Sequence, residues 1–371
     1  MKKIGIVTLL GYFNYGNRLQ NYALQETLKK LNYEVYSLRF DDEEGFLNEY
    51  SSDNITLRNK IKGIPLKKLF SLPFRKIKIS VNNSRYKAVE KNRHVIFKTF
   101  TNKFINEVDF KREYIEEFEY FIVGSDQVWN PAYIQNMPQY LLGFAPNKKR
   151  ISYAASFGIS KLPQEVYPTF KQELSKFKNI SVREGAGSRI VGNLIENEVP
   201  VLVDPTMLLN KEEWTSVSQK AKNRPESPYI LTYFLGGPSD TTRKKISKIA
   251  KDNKMTVINL GDKKERETYE TGPSEFLDYV SNASAFFTDS FHGTVFSIIF
   301  QTPFVVFERN ASGSSMYSRI ETLLSNFNME DRQATNFKED IFSMDFSNAN
   351  FVLAKEQTKS INYLKKSLNI D

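Results

Sequence analysis

Three short segments of this 371-residue sequence gather side chains that can do chemistry. In Phe286-Phe-Thr-Asp-Ser-Phe-His-Gly-Thr-Val-Phe-Ser297 an apolar run delivers Asp289 and Ser290, and a helical pattern begins near Gly293. His292 therefore stands at a strand-to-helix corner. Imidazole is the side chain that ordinarily titrates near neutrality, so a histidine placed there can carry a proton to or from a reacting group. In Gly11-Tyr-Phe-Asn-Tyr-Gly-Asn-Arg-Leu-Gln20 the residues Gly16, Asn17, Arg18 and Gln20 form a polar cluster suited to hydroxyl groups; the bland reading is a tight turn with an asparagine cap. The spacing of its glycines is not a dinucleotide fingerprint, and no Gly-Lys-Ser/Thr follows. In Phe121-Ile-Val-Gly-Ser-Asp-Gln-Val-Trp-Asn-Pro131, Asp126, Gln127 and Asn130 can bond vicinal hydroxyls and Trp129 offers a flat face for a sugar. Alternatively Trp129 is core and Asp126 caps a short helix. Arg183, Arg309 and Arg319 lie near element ends, where a planar guanidinium suits bidentate binding of carboxylate or phosphate, or a surface ion pair. His94, amid Lys91, Arg93 and Lys98 in a helical stretch, reads as a surface residue.

The elements that must position these groups follow from periodicity. Lys3–Leu10 is an apolar run ending in the first glycine loop, Asn21–Leu31 has helical spacing, and Glu34–Phe40 alternates like a strand. Strand–loop–helix–strand is the unit of a parallel sheet with covering helices. Residues 41–82 are charged and poorly periodic and read as a variable insertion. A long helix over Ser84–Phe104 follows, then strands at Glu119–Val123, Arg150–Ala155, Asn179–Arg183 and Val199–Val203, with helices at Gln164–Phe177 and Ala186–Leu194. After a polar linker over Lys211–Pro228 a second series carries strands at Tyr229–Leu235, Met255–Leu260, Ala285–Thr288 and Pro303–Phe307. A last helix covers about Ala354–Leu368. The pattern predicts an α/β fold of two Rossmann-like domains, residues 1–210 and 211–350, facing a cleft, with a terminal helix in 351–371 packing back on the first.

Composition narrows the chemistry. The chain has no cysteine and two histidines, which excludes disulfide frameworks, thiolate or multi-histidine metal centres and cysteine nucleophiles. No stretch reaches the roughly 18 apolar residues of a membrane-spanning helix, and the basic N-terminus runs into a strand rather than a signal peptide, so a soluble, cytoplasmic chain is expected. The net charge of +9 is uneven: Arg58–Arg112 holds 16 Lys or Arg against 3 Asp or Glu. Within it Pro65–Ile79 interleaves cations with Leu, Phe and Ile. That pattern fits peripheral contact with the inner face of an anionic membrane, or a solvated helical hairpin. No nucleic-acid motif is present, and nucleic acid is not an expected partner.

Gly11–Asn21, Gly124-Ser-Asp-Gln-Val-Trp-Asn-Pro131, Tyr153-Ala-Ala-Ser-Phe-Gly158, Ser181-Val-Arg-Glu184, Val203-Asp-Pro-Thr206 and Asp289-Ser-Phe-His-Gly293, in this order, resemble the polysaccharide pyruvyl transferase family of bacterial envelope-glycan enzymes. The resemblance spans roughly residues 4–310. It implies a GT-B-like fold and transfer of the enolpyruvyl carbons of phosphoenolpyruvate to sugar hydroxyls, usually as a ketal. The acceptor would be a nucleotide- or lipid-linked sugar, and phosphoenolpyruvate the co-substrate. No metal or organic cofactor is required in principle, because the donor brings its own leaving group. The family pattern Ser-Arg-Leu/Phe-His-Gly has an arginine two residues before the histidine; Ser290 stands there in this chain, and Arg309 or Arg319 is the candidate replacement. The resemblance makes His292 the catalytic acid–base. It places Arg183, Ser290, Gly293, Thr294, Arg309 and Arg319 on the donor, and Gly16, Asn17, Arg18, Gln20, Asp126, Gln127, Trp129 and Asn130 on the acceptor. Two other readings of the same fold are a glycosyltransferase using a nucleotide sugar and a non-catalytic glycan-binding scaffold.

Overall fold

The computed structural model describes residues 1–40, 84–131, 138–309, 318–335 and 340–370. The basic segment Pro65–Ile79 and the insertion expected over 41–82 lie outside the described residues. Among the described residues no helix is long and apolar enough to cross a membrane.

Two parallel sheets form the frame. The first has the order β3-β2-β1-β4-β5, from β1 (Lys2–Val7), β2 (Tyr33–Arg39), β3 (Glu107–Asp109), β4 (Tyr120–Val123) and β5 (Arg150–Ser152). The second has the order β7-β6-β8-β9, from β6 (Tyr229–Tyr233), β7 (Thr256–Leu260), β8 (Ala285–Thr288) and β9 (Phe304–Val306). β4, β6 and β8 are buried at every position, as strands covered by helices on both faces must be. Among the described residues the helices longer than four residues are α1 (Tyr15–Lys30), α2 (Ser84–Phe104), α3 (Tyr167–Leu174), α4 (Gly185–Ile195), α5 (Lys211–Val217), α6 (Asp240–Asp252), α7 (Pro273–Asn282), α8 (Phe291–Phe300), α9 (Ser318–Phe327) and α10 (Ser347–Ser367). This is the predicted α/β architecture of two parallel-sheet halves.

In each sheet the strand order reverses next to the strand that opens its series. β1 lies between β2 and β4, and β6 between β7 and β8. A crevice opens at such a switch point, outside the carboxyl ends of the two strands, and ligands bind there. The first switch point is formed by Thr8 after β1 and Gly124–Asp126 after β4. The second is formed by the residues after β6 and by Asp289–His292 after β8.

Several boundaries differ from the sequence expectation, each for a local reason. α1 starts at Tyr15, six residues early, because the Asn14 side chain accepts from the Gly16 amide at 2.9 Å and caps it. Gly16–Gln20 is therefore helix rather than loop. Helix α5 lies inside the expected linker. Asn210 and Glu213 form a reciprocal capping box, and Trp214 and Val217 bury the inner face. The strands expected at Asn179–Arg183 and Val199–Val203 reduce to isolated bridges, Ile151 to Asn179, Ala155 to Val182 and Val182 to Val201.

The last helix returns to the first half as predicted. Tyr363 donates to the Ser152 carbonyl at 2.8 Å, Gln357 to the Met207 carbonyl at 2.8 Å, and Tyr33 from β2 to the Leu368 carbonyl at 3.3 Å. One hydrophobic cluster runs from Ile4 and Leu24 through Trp214, Phe276 and Phe296 to Leu364, so the two halves share a core.

Candidate functional site

The two switch points meet around His292. Residues after β8 turn into α8, which Ser290 caps by accepting from the Gly293 amide at 3.2 Å. This turn carries His292, with 8% of its side chain exposed, against the first half. Its Nδ1 lies over the first turn of α1, where a Cβ built on Gly16 would fall 2.0 Å away, so only glycine leaves room for the ring. Its Nε2 faces Asp204 Oδ2 at 3.5 Å, is buried, and has no hydrogen-bond partner.

A chain of alternating charges runs outward from there. Arg183 Nη1 donates to Asp204 Oδ2 at 2.5 Å, and its Nη2 reaches Asp126 Oδ1 at 3.2 Å. Asp126 also accepts from Asn17 Nδ2 at 2.5 Å and lies 3.5 Å from Arg319 Nη1. The Gln127 amide, with its oxygen toward Arg319, accepts from Nη2 at 3.0 Å. Both guanidinium groups lie near the Phe291 ring, Arg183 at 4.4 Å and Arg319 at 5.9 Å from its centre. Gln20 steadies the loop beneath: it accepts from the Ser125 amide at 3.0 Å and donates to Thr8 Oγ1 at 2.8 Å. Asp126 itself has φ 60°, the left-handed region that non-glycine residues rarely occupy, and its three partners hold it there.

The electrostatics separate the two arginines. Burial opposes the charge of Arg183, but Asp204, Asp126 and Glu184 outweigh it and raise the group above its ordinary value. Burial likewise opposes ionisation of the aspartates. For Asp204, His292 and Arg183 overcome it, and for Asp126, Arg183, His292 and Arg319 do, so both carboxyls stay below the usual carboxylate range. Arg319 is lowered to about 10, first by burial and then by the neighbouring positive charge of Arg183, which Asp126 only partly offsets. The Nε atoms of both arginines are buried without a partner, so the charge balance is what separates them.

Not every residue named from sequence reaches this cluster. Arg18 is fully buried elsewhere, paired with Glu107 at 3.0 Å, bonded to the Leu9 carbonyl and lying over the Tyr12 ring. It sits one residue beyond Asn17 on a helix, and 100° of rotation turns it from the site. Trp129 is core: it is 0% exposed, donates to the Tyr140 carbonyl at 3.0 Å and packs on Phe157 and Phe177, so it has no face for a sugar. Asn130 sits beside Gln127 at 2.9 Å. Gly293 packs its Cα against Thr288 and Phe286, and Thr294 turns its hydroxyl to the Ser290 carbonyl. The amides of Gly293 and Thr294 are spent on Ser290, which leaves the first two amides of α8, Phe291 and His292, without an intrahelical acceptor. Arg309 stands 3.5 Å from Asp289, which accepts from the Leu235 and Gly236 amides at 2.7 and 2.9 Å and so fixes the loop after β6. His94 is half-buried, its ring edge-on to Tyr12 at 5.1 Å.

Sequence reasoning assigned no role to Asp204, Ser125 or Phe291. Asp204 was visible as the polar residue of Val203-Asp-Pro-Thr206, at the end of an apolar run. Asp126 and Gln127 of the first half contact Arg319 of the second, and Gly16 packs under His292. Among the described residues no group of three or more His, Asp or Glu side chains is gathered as a metal site needs.

The chain is similar along its length to several sugar-nucleotide enzymes of known structure. These include UDP-GlcNAc 2-epimerase from Methanocaldococcus jannaschii (14% identity, TM-score 0.42, 96% of this chain and 99% of that one) and UDP-GlcNAc 2-epimerase from Neisseria meningitidis (10%, 0.41, 97% and 100%). E. coli ADP-heptose LPS heptosyltransferase II is another (11%, 0.39, 98% and 100%). A search of curated proteins gave no match. The family described as polysaccharide pyruvyl transferase matches residues 14–310, from the cap of α1 past the histidine corner to the end of Arg309 and its neighbour. With α1, Gly124–Asp126, the turn after β8 and His292 inside that match, the chain belongs to the polysaccharide pyruvyl transferase family.

Proposed function

We propose that the protein transfers the pyruvyl carbons of phosphoenolpyruvate to hydroxyls of a sugar in an envelope- or capsule-type glycan precursor, closing a pyruvate ketal. The observation that carries this reading is Arg319. Phosphoenolpyruvate bears a phosphate and a carboxylate on one carbon, so its site needs positive charge that the protein has not already cancelled. Arg183 is cancelled by Asp204 and Asp126. Arg319 is buried and under-compensated, and an anion arriving there relieves its cost. The first amides of α8 and the positive end of its dipole favour the same charge.

The chemistry then needs a proton carrier. Protonated His292 gives its proton to C3 of the enol, and C2 becomes oxocarbenium-like. A sugar hydroxyl attacks C2 and returns its proton to the imidazole. The C2–O bond to phosphate breaks, a second hydroxyl attacks C2, and that hydroxyl's proton leaves with the phosphate. Two hydroxyl protons thus end on the new methyl group and on inorganic phosphate, and no oxidant or reductant is consumed. Asn17, bonded to Asp126 one residue beyond Gly16, and Gln127, bonded to Arg319, would hold the acceptor.

Incubation with phosphoenolpyruvate and a panel of nucleotide- and lipid-linked sugars tests the reading. Inorganic phosphate should appear only when donor and acceptor are both present, together with a pyruvylated product by mass. If nucleoside diphosphate is released from nucleotide sugars instead, and phosphoenolpyruvate stays intact, glycosyl transfer replaces pyruvyl transfer.

A further inference from the structure

Asp204 is fixed by every bond it makes. Its Oδ1 accepts from the Thr206 amide at 3.0 Å and from Thr206 Oγ1 at 2.7 Å. Its Oδ2 accepts from Arg183 at 2.5 Å and from Ser125 Oγ at 3.0 Å. Its side chain is 0% exposed. A carboxylate gripped at both oxygens cannot rotate, and the oxygen held by Arg183 and Ser125 is the one aimed at Nε2 of His292, 3.5 Å away. That nitrogen has no other partner. The opposite edge of the ring, Nδ1, faces the first turn of α1 over Gly16, beside Asn17. The imidazole therefore has an edge that faces the carboxylate, Nε2, and an opposite edge, Nδ1, that Asp204 does not reach.

We propose that Asp204 is the positioning residue of His292: it keeps the proton of the neutral ring on Nε2 and so leaves Nδ1, above the start of α1, as the nitrogen that exchanges a proton with the acceptor hydroxyl. The assignment rests on reading His292 as the proton carrier. Asp204 also supplies the counter-charge when the ring becomes imidazolium. The other charged groups around the ring are Asp126, Arg183 and Arg319, with the Tyr153 hydroxyl behind Asp204. Among the described residues only Asp204 lies within ion-pair distance of the imidazole. A histidine fixed at one nitrogen by a carboxylate is committed to one tautomer, and the direction of proton transfer follows from that commitment.

Two measurements test this. The chain has two histidines, so nitrogen NMR of the whole protein shows two imidazoles, and a His94→Gln sample identifies the signal of His292. The expected result is the Nε2–H tautomer in wild type and its loss, or a mixture, in Asp204→Asn. An Nδ1–H tautomer in wild type, or one unchanged by Asp204→Asn, overturns the proposal whatever the enzyme's substrate proves to be. In kinetics, Asp204→Asn should lower kcat about 10²-fold or more, with KM for phosphoenolpyruvate changed less than threefold. The same substitution in a His292→Gln background should add little; a full, additive loss there overturns the proposal. Wild-type protein inert toward phosphoenolpyruvate would strike the functional reading, while the tautomer result still decides the role of Asp204. If Asp204→Asn does not fold, the wild-type tautomer alone decides it.

Discussion

Two buried arginine clusters join the halves of this protein, and they are built on opposite principles. Arg93 on α2 is saturated. Its guanidinium donates to the Tyr15 hydroxyl at 3.0 Å and the Phe13 carbonyl at 3.2 Å, reaches the carbonyls of Tyr269 and Thr271, and lies on the rings of Tyr15, Phe97 and Tyr269 at 4.7 to 4.8 Å. At the switch points, by contrast, Arg319 keeps a buried Nε without a partner, and so does His292 at Nε2. A buried polar atom left unmatched costs about 1–3 kcal/mol, and a fold tolerates that where a ligand or a proton completes the set. Arg93 is matched by hydrogen bonds and rings and joins the halves, whereas the charge of Arg319 is only partly offset by Asp126.

The contrast can be broken at four points. His292→Gln should cut turnover about 10²–10⁴-fold while the protein keeps its thermal midpoint, as measured by phosphate release and by calorimetry. Arg183→Leu should do the reverse. It strands Asp204 as a buried carboxylate without its guanidinium and leaves Asp126 with only Arg319 as a cation, and unfolding in urea should show a loss of about 3–5 kcal/mol. Arg93→Met should cost somewhat less, about 2–4 kcal/mol, because it orphans several buried carbonyl acceptors without stranding a charge; turnover at saturating substrate should fall no more than severalfold. Arg319→Met is the mildest in the empty protein and removes an under-compensated charge, so its midpoint should hold or rise slightly. Its signature is the loss of the upward midpoint shift that phosphoenolpyruvate gives wild type. A stability loss in Arg319→Met as large as that in Arg93→Met would place both arginines in the same structural class.

The alternation of strands and helices made the two sheets legible from the sequence, because parallel strands buried on both faces read as short apolar runs. His292 was legible too, from its place between a strand and a helical pattern. What escaped were pairings across distance. Arg183 was readable as a guanidinium at the end of an apolar run, but nothing near it in sequence tells that Asp126 and Asp204 will meet it. Arg18 and Asn17 are neighbours of like polarity, and only the early start of α1, set by Asn14, sends one to Glu107 and the other to Asp126. Trp129 sits in a polar motif, yet its indole is drawn inward by Phe157, Phe177 and a carbonyl acceptor. Local residue types show which groups could react; how the halves approach decides which of them are already spent.

The return of α10 to the first half bears on how the molecule comes apart. Its Tyr363, Gln357 and terminal carbonyls bind residues made as much as 335 positions earlier, and Leu364 and Leu368 complete a core that also contains Ile4 and Phe296. Neither sheet can melt without exposing apolar surface belonging to the other. Although the molecule has two sheets, calorimetry should record one cooperative transition rather than two. During synthesis the first half remains uncapped until α10 has emerged, and through that interval it is an unfinished surface open to chaperones.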